Sequence, residues 1–235
     1  MAIAFDAATD GGITNPGTSH TFSHTTGAGS DRILFVFSFA HTTDVVTGAT
    51  YAGSAMTLID KRLITGDRWV YLWYIVAPST GANNVVISAS SSVVIAGCSA
   101  SYTGASQTGQ PDSFTNGENP GQTTFSLATT TVADNCWAVM GFRSDGTDNT
   151  PGTGDNERVD SVTGFCFYDT GPVTPAGSVT ISTSSSNASP YGGVIASFAP
   201  AATTAIKTFN GLANASVKTI NSLARASVKT YNGLA

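Results

Sequence analysis

Short apolar runs recur along the first 200 residues, and clusters rich in Gly, Ser, Thr, Asn and Pro separate them. Residues 33–39 are apolar on both faces of an extended chain, which predicts a central buried strand, and residues 69–76 predict a second one. No body segment carries an apolar stripe of period 3.6 over the length of a helix. The pattern predicts an all-β fold, a two-sheet jelly-roll-like β-sandwich.

Turn residues set the expected boundaries within this body. Residues 85–88 and 93–96 flank a Ser-rich segment and are expected to form a hairpin. Two stretches rich in Gly, Asp, Asn and Pro, residues 104–122 and 144–157, are expected to be long loops. Further strands are expected at residues 19–26, 47–60, 98–103, 123–132, 135–143, 158–168, 177–183 and 191–199.

Charge is unevenly distributed. Residues 1–200 hold all 15 Asp or Glu and six Lys or Arg, so their net charge is −9, whereas the remaining residues carry +4. An acidic body disfavours nucleic-acid binding. No apolar stretch reaches the length of a membrane span, and the N-terminus lacks the pattern of a secretory signal. We expect a protein made in the cytoplasm, with no nucleic-acid or membrane partner, whose basic tail docks on an acidic surface such as another copy's body.

An 11-residue repeat fills residues 206–235, after a linker at residues 201–205. Its three copies share the pattern Val/Ile-Lys-Thr-x-Asn-x-Leu-Ala, and the third ends with the chain. Two structures fit the period. One is a set of hairpins with tight Asn-Gly turns, and the other is a right-handed helical supercoil, since 11 residues make three helical turns. The Thr, Asn, Gly and β-branched content favours the β structure.

Such a tail is too small to be stable alone. Each repeat shields only its neighbours, and ordering costs about 1–2 kcal/mol of backbone entropy per residue. The tail is therefore predicted to be an oligomerisation or attachment element. The apolar and cationic positions expected to make its assembly contacts are Ile206, Lys207, Phe209, Leu212, Val217, Lys218, Ile220, Leu223, Arg225, Val228, Lys229, Tyr231 and Leu234.

Candidate metal ligands occur in two places. His20 and His24 fall on one face of a strand, and with His41 they are a zinc candidate, although a solvated polar face is the favoured interpretation. Four acidic residues in the loop at 144–157 form a weak calcium candidate whose spacing differs from that of an EF-hand, so a solvated loop is favoured. They are Asp145, Asp148, Asp155 and Glu157. The three cysteines lie in apolar runs and are expected to be buried rather than disulfide-bonded.

An aromatic row, Trp69, Tyr71 and Trp73, shares one strand face. It suits stacking on sugar rings if exposed, and core packing, the favoured interpretation, if buried. Enzyme signatures are missing from the sequence: it has no Gly-x-Ser-x-Gly elbow, no phosphate-binding Gly loop with Lys, and only two glutamates. We therefore expect a non-enzymatic protein without a cofactor.

Four segments resemble β-sandwich modules of bacteriophage virion proteins and some bacterial surface proteins. They are residues 46–58 (Val-Thr-Gly-Ala-Thr-Tyr-Ala-Gly-Ser-Ala-Met-Thr-Leu), 72–81, 100–104 and 197–200. The tail is similar to C-terminal repeats of phage structural proteins. The resemblance implies a virion surface role and often a homotrimer, and it carries over no catalytic residue.

Three functions follow as expectations. The first is a capsid decoration (cement) or fibre protein at the virion surface, assembled through the tail, with capsid or other virion proteins as partners. The second is a self-polymerising extracellular filament subunit that inserts its tail into the next copy as an added strand. The third is a carbohydrate-binding adhesin, or a glycan hydrolase, that contacts a host surface glycan.

Overall fold

The computed structural model confirms an all-β fold with two antiparallel sheets, a β-sandwich. It describes residues 1–41, 43–146 and 148–202 and, in the tail, the backbone of four two-residue strands. The described residues contain no helix. The chain divides into two compact units, Met1–Ala201 and Ala202–Ala235.

The first sheet takes all its strands from the first half of the body. The order is β4-β3-β7-β2-β6-β5, and β1 pairs with the free edge of β7. The strands are β1 (Ala4–Thr26), β2 (Ile33–His41), β3 (Val46–Tyr51), β4 (Ser54–Ala55), β5 (Thr57–Ile64), β6 (Arg68–Val76) and β7 (Gly81–Thr103).

The second sheet takes all its strands from the second half. The order is β10-β13-β9-β12-β11, and β8 pairs with β13. The strands are β8 (Ser113–Thr130), β9 (Trp137–Ser144), β10 (Thr150–Pro151), β11 (Asn156–Asp160), β12 (Phe165–Asp169) and β13 (Ser178–Phe198).

The two halves have the same topology. In the first, the long strand β7 is flanked by β1 on one side and by β2 and β3 on the other, and β2 leads outward to β6 and β5. In the second, β13 is flanked by β8 on one side and by β9 and β10 on the other, and β9 leads outward to β12 and β11. Only β4 has no counterpart, so the body is an internal structural repeat.

Irregularities in the strands repeat as well. Between β1 and β7 the register jumps from Ser19↔Ser88 to Gly17↔Val93. Between β8 and β13 it jumps from Thr124↔Ser184 to Gln122↔Ser189. In both halves the long strand holds the extra residues of the bulge, and their number is the same. These bulges set the residue correspondence between the halves, in which Ser88 is equivalent to Ser184. Bulges re-aim and bend a strand, so their recurrence means that both sheets bend at the same place.

Three cores follow from this bending. Ile33, Phe35 and Phe37 of β2 lie in a core shared with the second sheet. The alternate residues Leu34 and Val36 lie in a core made only of first-sheet residues, and the second sheet has a matching core of its own. Each sheet therefore folds back on itself, and β2 is buried on both faces, as its sequence predicts.

Two local predictions are wrong. Residues 85–88 and 93–96 do not form a hairpin but belong to the single strand β7, because the intervening Ala and Ser residues stay at negative φ and a bulge absorbs them. Residues 104–122 are not one loop, because β8 begins at Ser113 and its Gly- and Pro-containing part remains paired with β13. Tertiary pairing overrides the turn preference of these residues.

Two small hairpins form the described part of the tail. Thr208–Phe209 (β14) pairs with Leu212–Ala213 (β15), and Thr219–Ile220 (β16) pairs with Leu223–Ala224 (β17), both antiparallel. The registers Thr208↔Ala213 and Thr219↔Ala224 are identical within the repeat. These backbones adopt the β structure rather than the helical alternative.

Candidate functional site

A cleft of about 450 Å³ opens where β5 and β6 of the first half meet β8 of the second half. Trp69 forms one wall, and the turn at residues 65–67 lies beside it. Asn116 and Glu118 reach the cleft from β8. The cleft exists because β5 packs across onto β8, which brings an aromatic side chain of one half next to polar side chains of the other.

Charged groups line the cleft. Nη2 of Arg62 donates a hydrogen bond to Oε1 of Glu118 at 2.9 Å. Nζ of Lys61 lies 5.4 Å from the ring centroid of Trp69, within the range of a cation–π contact. Nε of Arg62 is buried and has no hydrogen-bond partner among the described residues. The cleft therefore presents both donors and acceptors next to one aromatic face.

The aromatic row of β6 is mostly unavailable to a ligand. Tyr71 is 1% exposed and Trp73 5%, whereas Trp69 is half-buried and reaches the cleft. The three rings stack in succession, with centroids 6.4 Å and then 6.2 Å apart. Burial, together with a hydrogen bond to Asp44, raises the pKa of Tyr71, and Nε1 of Trp73 donates to Ser38. Core packing thus accounts for Tyr71 and Trp73, and only Trp69 remains a candidate glycan contact.

An aromatic face, an amide, a carboxylate and two cations are groups that bind a ring carrying several hydroxyls. The indole covers the apolar face of a sugar, and the polar groups pair with its hydroxyls. Sequence reasoning missed the polar half of this cleft, because Asn116 and Glu118 fall in the stretch expected to be a loop. The rarity of glutamate in the chain was the only signal that pointed to Glu118.

Of the four acidic residues considered for calcium, three have separate partners and the fourth is exposed. Asp145 pairs with two arginines, at 2.5 Å and 3.1 Å. Asp148 and Asp155 each accept a backbone N–H, from Ser186 and Ser182 respectively. Glu157 is exposed on β11. Within residues 1–41, 43–146 and 148–202, no cluster of three or more His, Cys, Asp or Glu is arranged to hold a metal ion.

His24 is the centre of a buried polar network, which corrects the expected solvated face. Its ring is fully buried, its Nδ1 lies 2.9 Å from Oγ of Ser99 and 3.1 Å from Oγ1 of Thr9, and its Nε2 lies 3.0 Å from Oγ of Ser101. Ser101 donates in turn to Asp6 at 2.8 Å. Burial lowers the pKa of His24 from its ordinary value of 6.5 to about 4, against the opposing charge of Asp6. Both ring nitrogens of His24 therefore have hydrogen-bond partners, as buried polar groups generally do.

The other two histidines lie apart from this network. His20 is buried, and its Nδ1 lies 2.9 Å from Oγ1 of Thr14. His41 is exposed at the end of β2, where its ring stacks on Phe39. All three cysteines are free and buried, as predicted.

Most of the predicted assembly residues lie outside the described residues. They are Ile206, Lys207, Val217, Lys218, Arg225, Val228, Lys229, Tyr231 and Leu234. Phe209, Leu212, Ile220 and Leu223 fall in the four described strands, and their backbones pair as hairpins. Their contacts with other chains stay a prediction.

Comparison with known proteins returns no match to a family model, a curated protein or a solved structure. The part of the chain that the structure describes includes no helix long and apolar enough to cross a membrane.

Proposed function

We propose that this chain is a non-enzymatic structural protein of a bacteriophage virion, a capsid decoration protein or a fibre component. The β-sandwich body is displayed at the virion surface, and the C-terminal repeats join copies into a homotrimer and hold them to other virion proteins. The protein needs no cofactor for this role.

The main support for assembly through the tail is that the tail is a separate unit with repeated β structure. Its two described hairpins have the same register, so the sequence repeat is also a structural repeat. Each hairpin strand has only two paired residues, and an isolated two-stranded hairpin is at best marginally stable in water. A unit built of such hairpins gains stability when other chains pair with its edges.

The resemblance of the Val-Lys-Thr-x-Asn-Gly-Leu-Ala repeats to tails of phage structural proteins adds the virion to this proposal. The test uses virions of the phage that encodes the chain. Antibodies against the purified body should label intact particles in electron micrographs, and a chain ending at residue 202 should fold but not join them. Particles that carry no label, although the protein is abundant in the lysate, would reject a virion role.

The filament alternative makes a different prediction about symmetry. A head-to-tail contact whose rotation does not close forms an open helical filament, whereas one that closes after three copies forms a trimer. Micrographs of the purified protein distinguish helical filaments from closed particles.

The carbohydrate-binding alternative is supported by the cleft at Trp69, where an indole adjoins Arg62 and Glu118. Changing Trp69→Ala should abolish binding on a glycan array, because the variant lacks the indole on which a sugar ring would stack. Leu58→Ala is the matched control, because Leu58 is exposed on the same strand β5 that lines the cleft but is not part of its wall. Equal glycan binding by both variants, or none by the parent chain, rejects this function.

A further inference from the structure

The two halves of the body differ at one outer edge. In the first half β3 covers the edge of β7: Thr50 pairs with Val86, and the N–H of Ala52 donates to the carbonyl of Asn84 at 3.0 Å. Tyr51, between them, is 1% exposed and buries its ring in the core of that half. The β3–β4 hairpin thus closes the outer layer of the first sheet.

The equivalent edge of β13 is only partly covered. The short strand β10 pairs with Ser184 and Thr183 alone. Next along β13, the carbonyl of Ser182 accepts from the N–H of Gly152 at 2.9 Å, and its N–H donates to Asp155 at 3.0 Å. A cleft of about 400 Å³ lies at this end of the strand, with Gly152 and Ser182 in its wall.

Beyond Ser182 the edge is open. The carbonyl of Gly177 accepts a hydrogen bond from the chain that continues β8. Because backbone groups alternate in direction along an antiparallel strand, those of Ser178 and Thr180 point away from β8. Both residues are exposed, and no described residue hydrogen-bonds to those groups. The bulge correspondence makes Thr180 the equivalent of Asn84, whose carbonyl is satisfied by the hairpin in the first half.

The tail repeats the hairpin that this edge lacks. The segment at residues 50–55 reads Thr-Tyr-Ala-Gly-Ser-Ala, with Thr50 opposite Ala55. Residues 208–213 read Thr-Phe-Asn-Gly-Leu-Ala, with Thr208 opposite Ala213 in the same register. The third repeat copy, residues 230–235, reads Thr-Tyr-Asn-Gly-Leu-Ala and shares four of these six residue types with the first-half hairpin.

Charge favours the same pairing. The repeats carry four cations and no acidic residue. The open edge adjoins Asp155, whose carboxylate accepts the N–H of Ser182 at 3.0 Å, and the body as a whole is acidic. Attraction between a basic strand and an acidic edge steers the encounter and fixes the side on which the strand adds.

We propose that a repeat hairpin of a second copy of this chain adds to the open edge of β13 at Ser178 and Thr180, next to the bonds that Gly152 and Asp155 make with Ser182. The inference rests on the proposed function and names the acceptor surface for the tail. Each tail carries three repeats, so one tail can engage more than one body. Thr208 pairs with Ala213 as Thr50 pairs with Ala55, and in the added hairpin it lies opposite Thr180.

Thr180→Pro in the full chain is the first test. Proline removes the outward N–H needed by an added strand while leaving the pairs with β8 in place. We expect at least a tenfold weaker self-association in sedimentation, at an unchanged melting temperature, while Thr180→Ala, which keeps the N–H, associates like the parent chain. Parent-like association of folded Thr180→Pro overturns the proposal.

Cysteine pairing is the second test and does not depend on how well the proline variant folds. Full chains with Thr180→Cys are mixed with full chains with Thr208→Cys and oxidised, and a disulfide-linked dimer is expected. Ala128→Cys, on the neighbouring strand opposite Thr180, is the control and should not link. No mixed dimer, or a link formed only when both cysteines are in one chain, overturns the proposal. Removal of residues 203–235 separates this proposal from the proposed function. If the deletion abolishes association but the proline and cysteine tests give no effect, the open edge of β13 is not the acceptor and the proposed function stands. If the deletion leaves association intact, the proposed function itself is wrong.

Discussion

Acid should destabilise this protein through His24. The ring is fully buried, and burial lowers its pKa from 6.5 to about 4, so the folded chain binds its proton less readily than the unfolded chain. Stability from the neutral ring is therefore complete above pH 6.5 and is lost as the pH falls toward 4. The loss is about 2 kcal/mol between pH 7 and pH 5 and about 3 kcal/mol over the whole window.

The assay is urea denaturation followed by tryptophan fluorescence at pH 7, 6 and 5. The free energy of unfolding of the parent chain should fall by about 2 kcal/mol between pH 7 and pH 5 from His24, with a smaller loss from His20, whose pKa burial also lowers. His24→Gln should be less stable at pH 7, because it disturbs the contacts with Ser99 and Ser101, but it should lose most of the pH dependence. His41→Gln, at an exposed position, is the control and should keep the parent slope. An equal slope in the parent chain and His24→Gln would refute the reasoning.

Three further predictions concern the body. Tyr102→Phe removes the hydroxyl that donates to the fully buried Asp169 at 2.9 Å, and thermal unfolding should report a loss of about 1–2 kcal/mol; an unchanged melting temperature would contradict this. Gly141→Ala places a Cβ 2.5 Å from Phe37 and should cost about 1–3 kcal/mol, whereas Gly121→Ala meets nothing within 4 Å and should cost far less; equal costs would argue against tight packing between the sheets. The three buried cysteines should react with a thiol reagent only after denaturation, since burial raises their pKa values, and rapid labelling of the native protein would disprove their burial.

The sequence was informative where one physical signal dominates. Residues 33–39 are apolar on both faces, and β2 is buried between two cores as that pattern requires. The Ser-rich segment after residue 88 was misleading, because serine suits a turn and a bulge equally and only the partner strand β1 decides between them. The aromatic row was also ambiguous, because the sequence of β6 does not show which of its two faces is covered by other strands.

The internal repeat was hard to see in the sequence because identical positions are scattered. Ala100 and Ser101 match Ala196 and Ser197, yet Asn84 corresponds to Thr180, and of the hairpin 46–55 only β3 has a counterpart, the two-residue β10. Ser178 and Thr180 keep an unpaired outer side, so a difference between the halves marks the edge on which the proposed assembly rests. The tail repeats, in contrast, were visible at once because six of eight aligned positions recur with a fixed period.

The most direct measurement of the central idea is the mass of the purified protein in solution by multi-angle light scattering. The full chain should elute at about three times its 23.9 kDa mass and dissociate on dilution, and a chain ending at residue 202 should elute as a folded single copy. A full-length protein that remains at 23.9 kDa across the accessible concentrations, or a shortened chain that still forms the larger species, would contradict assembly through the tail.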